Sequence, residues 1–528
     1  MKPIRLVSGF VTVGFWTLVS RVLGFVRDIM IAAYLGTGPV AEAFLVAFSL
    51  PNMFRRFFAE GAFNMAFVPM FAKKLEGDDA PERFAQDAFI GMAFILTLFT
   101  IAGILLMPVL VTLMASGFIG DERFTLAVAY GRMTFPYIIF ISLAALLSGV
   151  LNATGRFMAA AAAPVLLNVI FIIAILLAAA MGRPVSDALG MGIDHALGLQ
   201  VGDSLAISVP LGGIAQMALV WWAARRAGFP LRLGRPRLTP ELKRLAVIAA
   251  PAVLAGGIVQ INLLVGRQVA SFFEGAVAWL NYADRLYQLP LGVVGVAVGV
   301  VLLPDLSRRL RAGDAVGGRD TFNRACEFSL ALTIPAAVAL IVIPVPLISV
   351  LFQRGAFTTA DTQATALALA VYGLGLPSFV LQKALQPLFY AREDTRSPFN
   401  YAIVSLIVNI LFAVGLSPFI GWIAAALGTT FAGWATVALL WRGSRGMGEA
   451  AQWDARFRRR IVRICLASIL MGGLLWLAAQ VLAPLLHVPT LRYGALALLV
   501  AVGIVGYFGF GQVLGAFRLA EFRRAFRR

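Results

Sequence analysis

The sequence predicts an all-α polytopic membrane protein in which about 14 transmembrane helices form two parallel six-helix repeats around a central cavity, with two extra C-terminal helices. Three observations support this fold class. Over 528 residues the chain is 60% hydrophobic and only 13% charged, outside the usual composition of soluble globular proteins. Apolar stretches of the roughly 20 residues that a spanning helix needs recur along the chain. Landmarks of the first half recur in the second half, which indicates an internal repeat.

Short polar links separate the apolar stretches, so the spans can be assigned in order along the chain. The predicted spans are 7–35, 40–72, 87–114, 126–151, 159–181, 206–224, 244–272, 277–304, 324–352, 363–390, 398–416, 421–441, 461–483 and 493–516.

The distribution of basic residues sets the predicted topology. The net charge is +18, and 32 of the 44 Lys and Arg residues lie at the N-terminus, in every second link or at the span ends that adjoin it (Arg244, Arg324 and Arg463), and in the C-terminal tail. The alternate links contain Arg123, Arg183, Arg354 and Arg492. Because basic links remain cytoplasmic, both termini are predicted to be cytoplasmic and the number of spans to be even. The positive charge therefore predicts contact with anionic membrane lipids, and no binding of nucleic acid.

Residues that commonly form catalytic or metal centres are sparse. Cys326 and Cys465 are far apart in the sequence, which argues against a disulfide or zinc framework. The two histidines fall in separate links, and the Gly-Lys pair that a P-loop requires does not occur. The sequence therefore predicts no catalytic centre, metal or cofactor. Any energy coupling would use an ion gradient, the membrane potential or a partner.

The two halves of the chain share landmarks at a nearly constant spacing. The matched positions, 235 to 241 residues apart, are Leu50-Pro51 with Leu289-Pro290, Pro69 with Pro304, Pro108 with Pro346, Pro136 with Pro377, and Asn168 with Asn409. An offset of about 240 residues corresponds to six spans, an even number, so both copies have the same orientation. We therefore predict an N-terminal six-helix lobe at 1–226, a C-terminal six-helix lobe at 227–443, and two further helices with a basic cytoplasmic tail at 444–528.

Several charged residues lie inside predicted spans, where an ionisable group is costly unless it faces a cavity or a partner. In the first span, Arg21 and Asp28 share a helical face beside Arg27. The charged residues of the first, second and eighth spans are Arg21, Arg27, Asp28, Glu42, Arg55, Arg56, Glu60, Asp284 and Arg285. They are either structural ion pairs or a site for an anionic group, and the sequence leaves both interpretations open. Every cation in this set is arginine, the residue suited to bidentate binding of phosphate or carboxylate, which favours an anionic substrate.

Three motifs resemble those of a known family. They are SRVLGFVRD from Ser20 to Asp28; LPNMFRR, FAEGAF and AFVP between Leu50 and Pro69; and YADRL from Tyr282 to Leu286. Together with the span pattern, the repeat and the two additional helices, these motifs are similar to those of the MurJ (MviN) lipid II flippases. The resemblance covers the whole chain.

The resemblance implies a fold of the multidrug/oligosaccharidyl-lipid/polysaccharide exporter superfamily. It also implies transport of lipid II, the undecaprenyl-pyrophosphate-linked disaccharide peptide, across the bacterial inner membrane for cell-wall synthesis. The implied headgroup cavity would be lined by Arg21, Arg27, Asp28, Arg55, Arg56, Glu60, Asp284 and Arg285, with Glu42, Ser49 and Arg267 as secondary candidates. The arginines would hold pyrophosphate and carboxylate groups, and the last two helices would form a groove for the polyprenyl tail. Cell-wall synthesis proteins are candidate partners.

This sequence departs from the family pattern at two of these positions. Ser49 stands where some relatives have Lys, which puts a contribution from that cation in doubt. Glu42 stands where some relatives have Asp, a change that keeps the charge.

Three other functions compete with this interpretation. The first is an exporter of another undecaprenyl-linked oligosaccharide, or of a drug, within the same superfamily; the arginines argue against a cationic drug. A membrane enzyme acting on a lipid-linked sugar would need a catalytic cluster in a link, and the sequence offers no convincing one. A scaffold that only organises cell-wall enzymes would not explain why the chain keeps arginines within spans, where their burial costs free energy.

Overall fold

The computed structural model describes residues 6–55, 62–77, 79–189, 200–232 and 234–517, and within them it contains helices and no strand. The α-helices are α1 (Leu6–Leu35), α2 (Pro39–Arg55), α3 (Ala62–Glu76), α4 (Pro81–Leu105), α5 (Met107–Met114), α6 (Glu122–Thr134), α7 (Tyr137–Ala153), α8 (Met158–Leu189), α9 (Val201–Arg226), α10 (Pro240–Ser271), α11 (Ala276–Arg311), α12 (Ala315–Val342), α13 (Pro344–Phe352), α14 (Thr359–Tyr390), α15 (Arg396–Ile420), α16 (Ile423–Ser444), α17 (Ala455–Leu486) and α18 (Arg492–Val513). The all-α prediction is confirmed.

Several of these helices start next to a polar link residue whose side chain caps the helix N-terminus. The Thr239 side chain accepts a hydrogen bond from the N–H of Leu242 at the start of α10. The Asp454 side chain does the same for the N–H of Phe457 at the start of α17. Each side-chain oxygen satisfies a backbone N–H that has no partner inside its own helix. The polar links that separate the apolar stretches therefore also fix where the helices start.

Ten helical segments of the described chain are long and apolar enough to cross a membrane. Each corresponds to one predicted span. The other four predicted spans correspond to α1, to α2 with α3, to α10 and to α11. The total of fourteen spans stays a prediction.

The predicted span 87–114 consists of two helices. α4 ends at Leu105, and α5 begins at Met107 with Pro108 in its first turn. Proline favours the first turn of a helix, because its fixed φ suits that turn and its missing N–H would have no partner there. α12 and the short α13, with Pro346, repeat this arrangement in the second half of the chain. The order of helices thus agrees with the predicted repeat.

The chain divides into two compact units. The first comprises Met1–Ala278 with Arg354–Phe357, and the second comprises Trp279–Gln353 with Thr358–Arg528. α10 belongs to the first unit, where Gln268 Oε1 accepts a hydrogen bond from the N–H of Ser116 at 2.7 Å. α17 and α18 belong to the second unit. The predicted lobe boundaries after residues 226 and 443 stay predictions.

Each unit has an aromatic core of its own. In the first unit, the Phe67 ring stacks on Phe71 and Phe84 with centroids 5.6 and 5.5 Å apart. In the second unit, the Trp453 ring lies 4.2 Å from Phe457 and 4.9 Å from Phe322. Buried aromatic contacts of this kind hold helices distant in sequence at fixed separations. The charged residues described next are positioned on these packed helices.

Candidate functional site

Arg27 and Asp28 form a buried charged pair on α1. Their exposed fractions are 7% and 5%. Arg27 Nε and Nη2 donate hydrogen bonds to Asp28 Oδ1 at 3.0 and 2.7 Å. Side chains of adjacent residues on a helix do not normally face each other, so the guanidinium must curl back to reach the carboxylate. The pair balances a buried positive charge within one helical turn.

Asn168 of α8 extends this pair to a second helix. Arg27 Nη1 donates to Asn168 Oδ1 at 3.0 Å, and Asn168 Nδ2 donates to the carbonyl oxygen of Ser20 at 3.0 Å. The Arg27 guanidinium carbon also lies 5.3 Å from the ring centroid of Phe171, another α8 residue. In the sequence Asn168 stands out only as a repeat landmark. Its contacts show that it positions Arg27.

The Arg27 hydrogen bonds are compatible with both interpretations of the charged residues. They use three of the five N–H donors of the guanidinium. Arg27 is therefore a structural tie between α1 and α8, as the ion-pair interpretation requires. Two N–H donors lie outside these bonds, and a phosphate or carboxylate oxygen is the acceptor that suits them. We name Arg27, Asp28 and Asn168 the Arg27 cluster.

Glu42 of α2 is fully buried in a different network. Its Oε2 accepts a hydrogen bond from Arg123 Nη1 at 3.0 Å, and its Oε1 accepts one from the N–H of Val277 at 3.0 Å. Arg123 also pairs with Asp121 Oδ2 at 2.6 Å and lies over the Phe118 ring at 4.4 Å. The sequence assigned Arg123 to an external link, but it is buried in the first turn of α6. Glu42 has the contacts of a structural ion pair, and a place for it in the cavity stays a prediction.

The other candidates of the first unit differ in exposure. Arg21 is exposed on α1, whereas Ser49, Arg55 and Arg267 are half-buried. Ser49 Oγ donates to the carbonyl oxygen of Leu45 at 2.6 Å, so the hydroxyl is bound within α2. The remaining two candidates, Arg56 and Glu60, lie outside the described residues.

Asp284 and Arg285 lie on α11 in the second unit, and both are half-buried. Gln288, one turn later, donates a hydrogen bond to Asp284. The ring of the neighbouring Tyr287 lies 5.6 Å from that of Tyr372 on α14. These aromatic contacts fix the position of α11 within its unit. That Asp284 and Arg285 share one cavity with the residues of α1 stays a prediction.

The two extra helices, α17 and α18, pack together in the second unit. Tyr507 Oη of α18 donates to the carbonyl oxygen of Ala331 on α12 at 2.6 Å. On their outer faces Val481 and Val505 are 77% and 71% exposed, as expected for side chains that face lipid. The predicted groove for a polyprenyl tail stays a prediction.

The described helices, with apolar segments of spanning length and buried arginines, have the architecture of a polytopic membrane transporter. A family model described as Lipid II flippase MurJ matches residues 31–495. The chain belongs to this family, whose members are transporters, and the family resemblance predicted from the motifs is confirmed.

Individual relatives cover nearly the whole chain. A protein of Rhizobium meliloti named probable lipid II flippase MurJ is 45% identical over 99% of this chain and 96% of its own length. A protein of Burkholderia cenocepacia named lipid II flippase MurJ is 35% identical over 98% of this chain and 99% of its own length. The similarity therefore includes the two C-terminal helices.

Solved structures agree with the fold. The structure of a lipid II flippase MurJ in an inward closed conformation has a TM-score of 0.77, with 25% identity over 98% of this chain and all of that chain. An inward-facing multidrug resistance transporter of the MATE family and MOP superfamily has a TM-score of 0.66 and 15% identity, over 82% of this chain and 95% of that chain. The second likeness concerns the fold alone, and it agrees with the fold that the resemblance implied.

Proposed function

We propose that this chain flips lipid II, the lipid-linked peptidoglycan precursor, from the inner to the outer leaflet of the bacterial cytoplasmic membrane. The observation that carries the proposal is the match to the lipid II flippase MurJ family along residues 31–495. Relatives of that name align over nearly the full length of the chain. The alternative, an exporter of another undecaprenyl-linked oligosaccharide or of a drug, has only the fold-level likeness to MATE transporters in its support.

Arginine chemistry supports an anionic headgroup as the substrate. Pyrophosphate and peptide carboxylates present paired oxygens, which the planar guanidinium binds with two parallel hydrogen bonds. Arg27 keeps two N–H donors outside its cluster, and Arg21 is exposed one to two turns earlier on the same helix. In this proposal Arg27 is the anchored contact and Arg21 the exposed one, with Arg285 contributing from α11.

Transport would follow alternating access. The arginines capture the headgroup while the cavity opens to the cytoplasm, and a change of conformation then opens it to the other side. A membrane potential that is positive outside assists outward movement of negative charge by about 2.3 kcal/mol per charge per 100 mV. An ion gradient is the other candidate source of energy. The polyprenyl tail would stay in lipid beside α17 and α18, because its transfer into a charged cavity would be costly.

The basic links support the proposed location. Both termini would be cytoplasmic, because 32 of 44 basic residues fall on that predicted side. Anionic lipids of the inner membrane would contact these links, at about 1 kcal/mol per basic residue near the surface. Proteins of cell-wall synthesis are proposed partners, since they supply the substrate on one side and consume it on the other.

The test is complementation of a cell depleted of its own lipid II flippase. The chain and its Arg27→Ala and Arg285→Ala variants are expressed at matched membrane levels, and lipid II accessible on the outer leaflet is measured. Arg235→Ala is the control, because Arg235 is an exposed arginine in the link between α9 and α10. We expect the wild type and Arg235→Ala to restore accessibility and the other two variants to lose it.

Each other outcome changes a different part of the proposal. Restoration by both Arg27→Ala and Arg285→Ala would leave the flippase function and reduce those arginines to structural pairs. No restoration by a folded, inserted wild type would favour the exporter alternative.

A further inference from the structure

A basic cavity lies in the first unit, away from the Arg27 cluster. It has a volume of about 420 Å³ and lies where three elements meet: the early part of α1, the turn between α7 and α8, and the last turns of α9. Its lining includes Thr12, Gly155, Arg156, Phe157, Trp222 and Arg226. The volume is within the range of small-ligand pockets.

The turn between α7 and α8 holds Arg156 in place. Gly155 adopts a positive φ of 75°, a conformation that glycine accepts without strain. The N–H of Arg156 then donates to the carbonyl oxygen of Leu151 at 2.8 Å, which closes the end of α7. Arg156 Nη1 donates to the carbonyl oxygen of Arg226 at 3.1 Å. This bond uses one of five N–H donors, so the guanidinium is oriented and keeps most of its binding capacity.

Arg226 is the second basic residue that lines the cavity. Its guanidinium carbon lies 3.9 Å from the ring centroid of Trp222, one turn earlier on α9. Trp222 is itself 49% exposed. Among the residues that the structure describes, no carboxylate pairs with Arg156 or Arg226. Two oriented arginines without a protein counter-ion favour an anion from outside the chain.

The apolar rim indicates what kind of anion this is. Trp222 is half-exposed at the end of a helix of spanning length, and Met158, at the start of α8, is 64% exposed. Tryptophan is enriched where the hydrocarbon region meets the headgroups. A soluble anion would gain nothing from these apolar side chains, whereas a lipid would place its acyl chains against them and its phosphate between the arginines.

We propose that this cavity binds the phosphate of an anionic glycerophospholipid, of the phosphatidylglycerol type, from the surrounding membrane. The proposal requires only that α7, α8 and α9 cross a bilayer, and it does not depend on which substrate the chain moves. The site is distinct from the Arg27 cluster, so the lipid would be a bound component of the membrane and not the transported molecule.

The second unit provides a matched comparison. Arg445 stacks on Trp441 at 4.0 Å, with the same spacing of four residues and the same position at the end of a helix. Here the turn arginine, Arg392, directs both Nη groups to backbone carbonyl oxygens, at 2.7 Å to Leu388 and 2.8 Å to Met447. Arg445→Gln therefore removes the same charge and the same stacking contact as Arg226→Gln, but outside the proposed site.

The experiment uses the purified full chain in nanodiscs that contain a photoreactive phosphatidylglycerol. Labelled peptides are identified by mass spectrometry. We expect labelling of segments 154–159 and 219–226 in the wild type and in Arg445→Gln. Labelling at these segments should fall about fivefold in Arg226→Gln, the effect of one lost basic contact, and further when Arg156→Gln is added. Because Arg156 also bonds to the backbone, Arg156→Lys, which keeps the charge, should recover part of the labelling.

Three results would overturn the proposal. The first is equal loss of labelling in Arg445→Gln and Arg226→Gln, which would indicate general attraction to basic residues. The second is equal labelling by a photoreactive phosphatidylcholine, which would indicate apolar contact alone. The third is displacement of the label by inorganic phosphate, which would assign the cavity to a soluble anion. Each is measured without lipid II, so none bears on the proposed transport function.

Discussion

The Glu42 network gives a prediction whose magnitude follows from its contacts. Glu42→Ala removes the acceptor of two buried groups, the guanidinium of Arg123 and the N–H of Val277. Breaking a buried ion pair from one side costs about 3–5 kcal/mol, because the partner charge stays buried. Arg123 keeps its contact with Asp121, a carboxylate that is 40% exposed, so the lower end of this range applies. We expect the free energy of unfolding to fall by about 3 kcal/mol.

The measurement is equilibrium unfolding of the purified full chain in mixed micelles. Glu42→Gln should cost less than Glu42→Ala, because the amide oxygen can still accept the Val277 N–H. The double variant Glu42→Ala/Arg123→Ala should be more stable than the sum of the single losses predicts, since neither charge is then left alone. Glu122→Ala, which removes an exposed carboxylate next to Arg123, should change stability by about 0.5 kcal/mol. Additive single losses, or no loss in Glu42→Ala, would refute a buried ion pair here.

Three further predictions concern other elements. Asn168→Ala should weaken lipid II binding while Arg27 is intact, because the guanidinium loses a positioning bond worth about 1.5–3 kcal/mol; unchanged binding of purified lipid II would contradict this. Tyr507→Phe should lower the free energy of unfolding by about 1 kcal/mol through loss of its bond to a carbonyl of α12, a result checked in the same mixed micelles. Asp394 lies in the link before α15, and hydrogen bonds from Ser397 hold the pKa of its carboxyl below the ordinary value. The ionised Asp394 therefore stabilises the folded state above the unfolded carboxyl pKa of about 3.9, and this stabilisation is lost as pH falls through the lower folded pKa. Asp394→Asn should therefore flatten the dependence of melting temperature on pH in the acid range, and an unchanged slope would count against a stabilising contribution from the hydrogen bonds of Ser397 to Asp394.

Features that depend on a local pattern of residues could be predicted from the sequence. Side-chain contacts between helices distant in the sequence could not. Apolar stretches of spanning length predicted the helical class, and the matched prolines predicted the repeat. The breaks before α5 and α13 were not predicted, because each lies inside one continuous apolar stretch, within the predicted spans 87–114 and 324–352. The pairing of Arg27 with Asn168 joins residues 141 positions apart, and that of Arg123 with Glu42 joins residues 81 apart. Helical periodicity shows which residues share a face of one helix, but it does not show which face of another helix they meet. The motif around Arg27 contains Arg27 and Asp28, but it does not reveal the contact of Arg27 with Asn168.

The Arg27 cluster also bears on how one arginine could have both its structural contacts and the proposed contact with substrate. If substrate binding alone had to offset the whole cost of burying the guanidinium, an empty transporter would be unstable at this point. Asp28 and Asn168 remove that cost before substrate arrives, because they satisfy three N–H donors within the first unit. In the proposed function, substrate would engage only the other donors, so that binding would be weak enough for a transporter to release its substrate. Arg27→Ala would remove both functions at once, whereas Asn168→Ala loosens the arginine without removing its charge. The comparison of these two variants therefore separates the structural contribution of Arg27 from its contribution to binding.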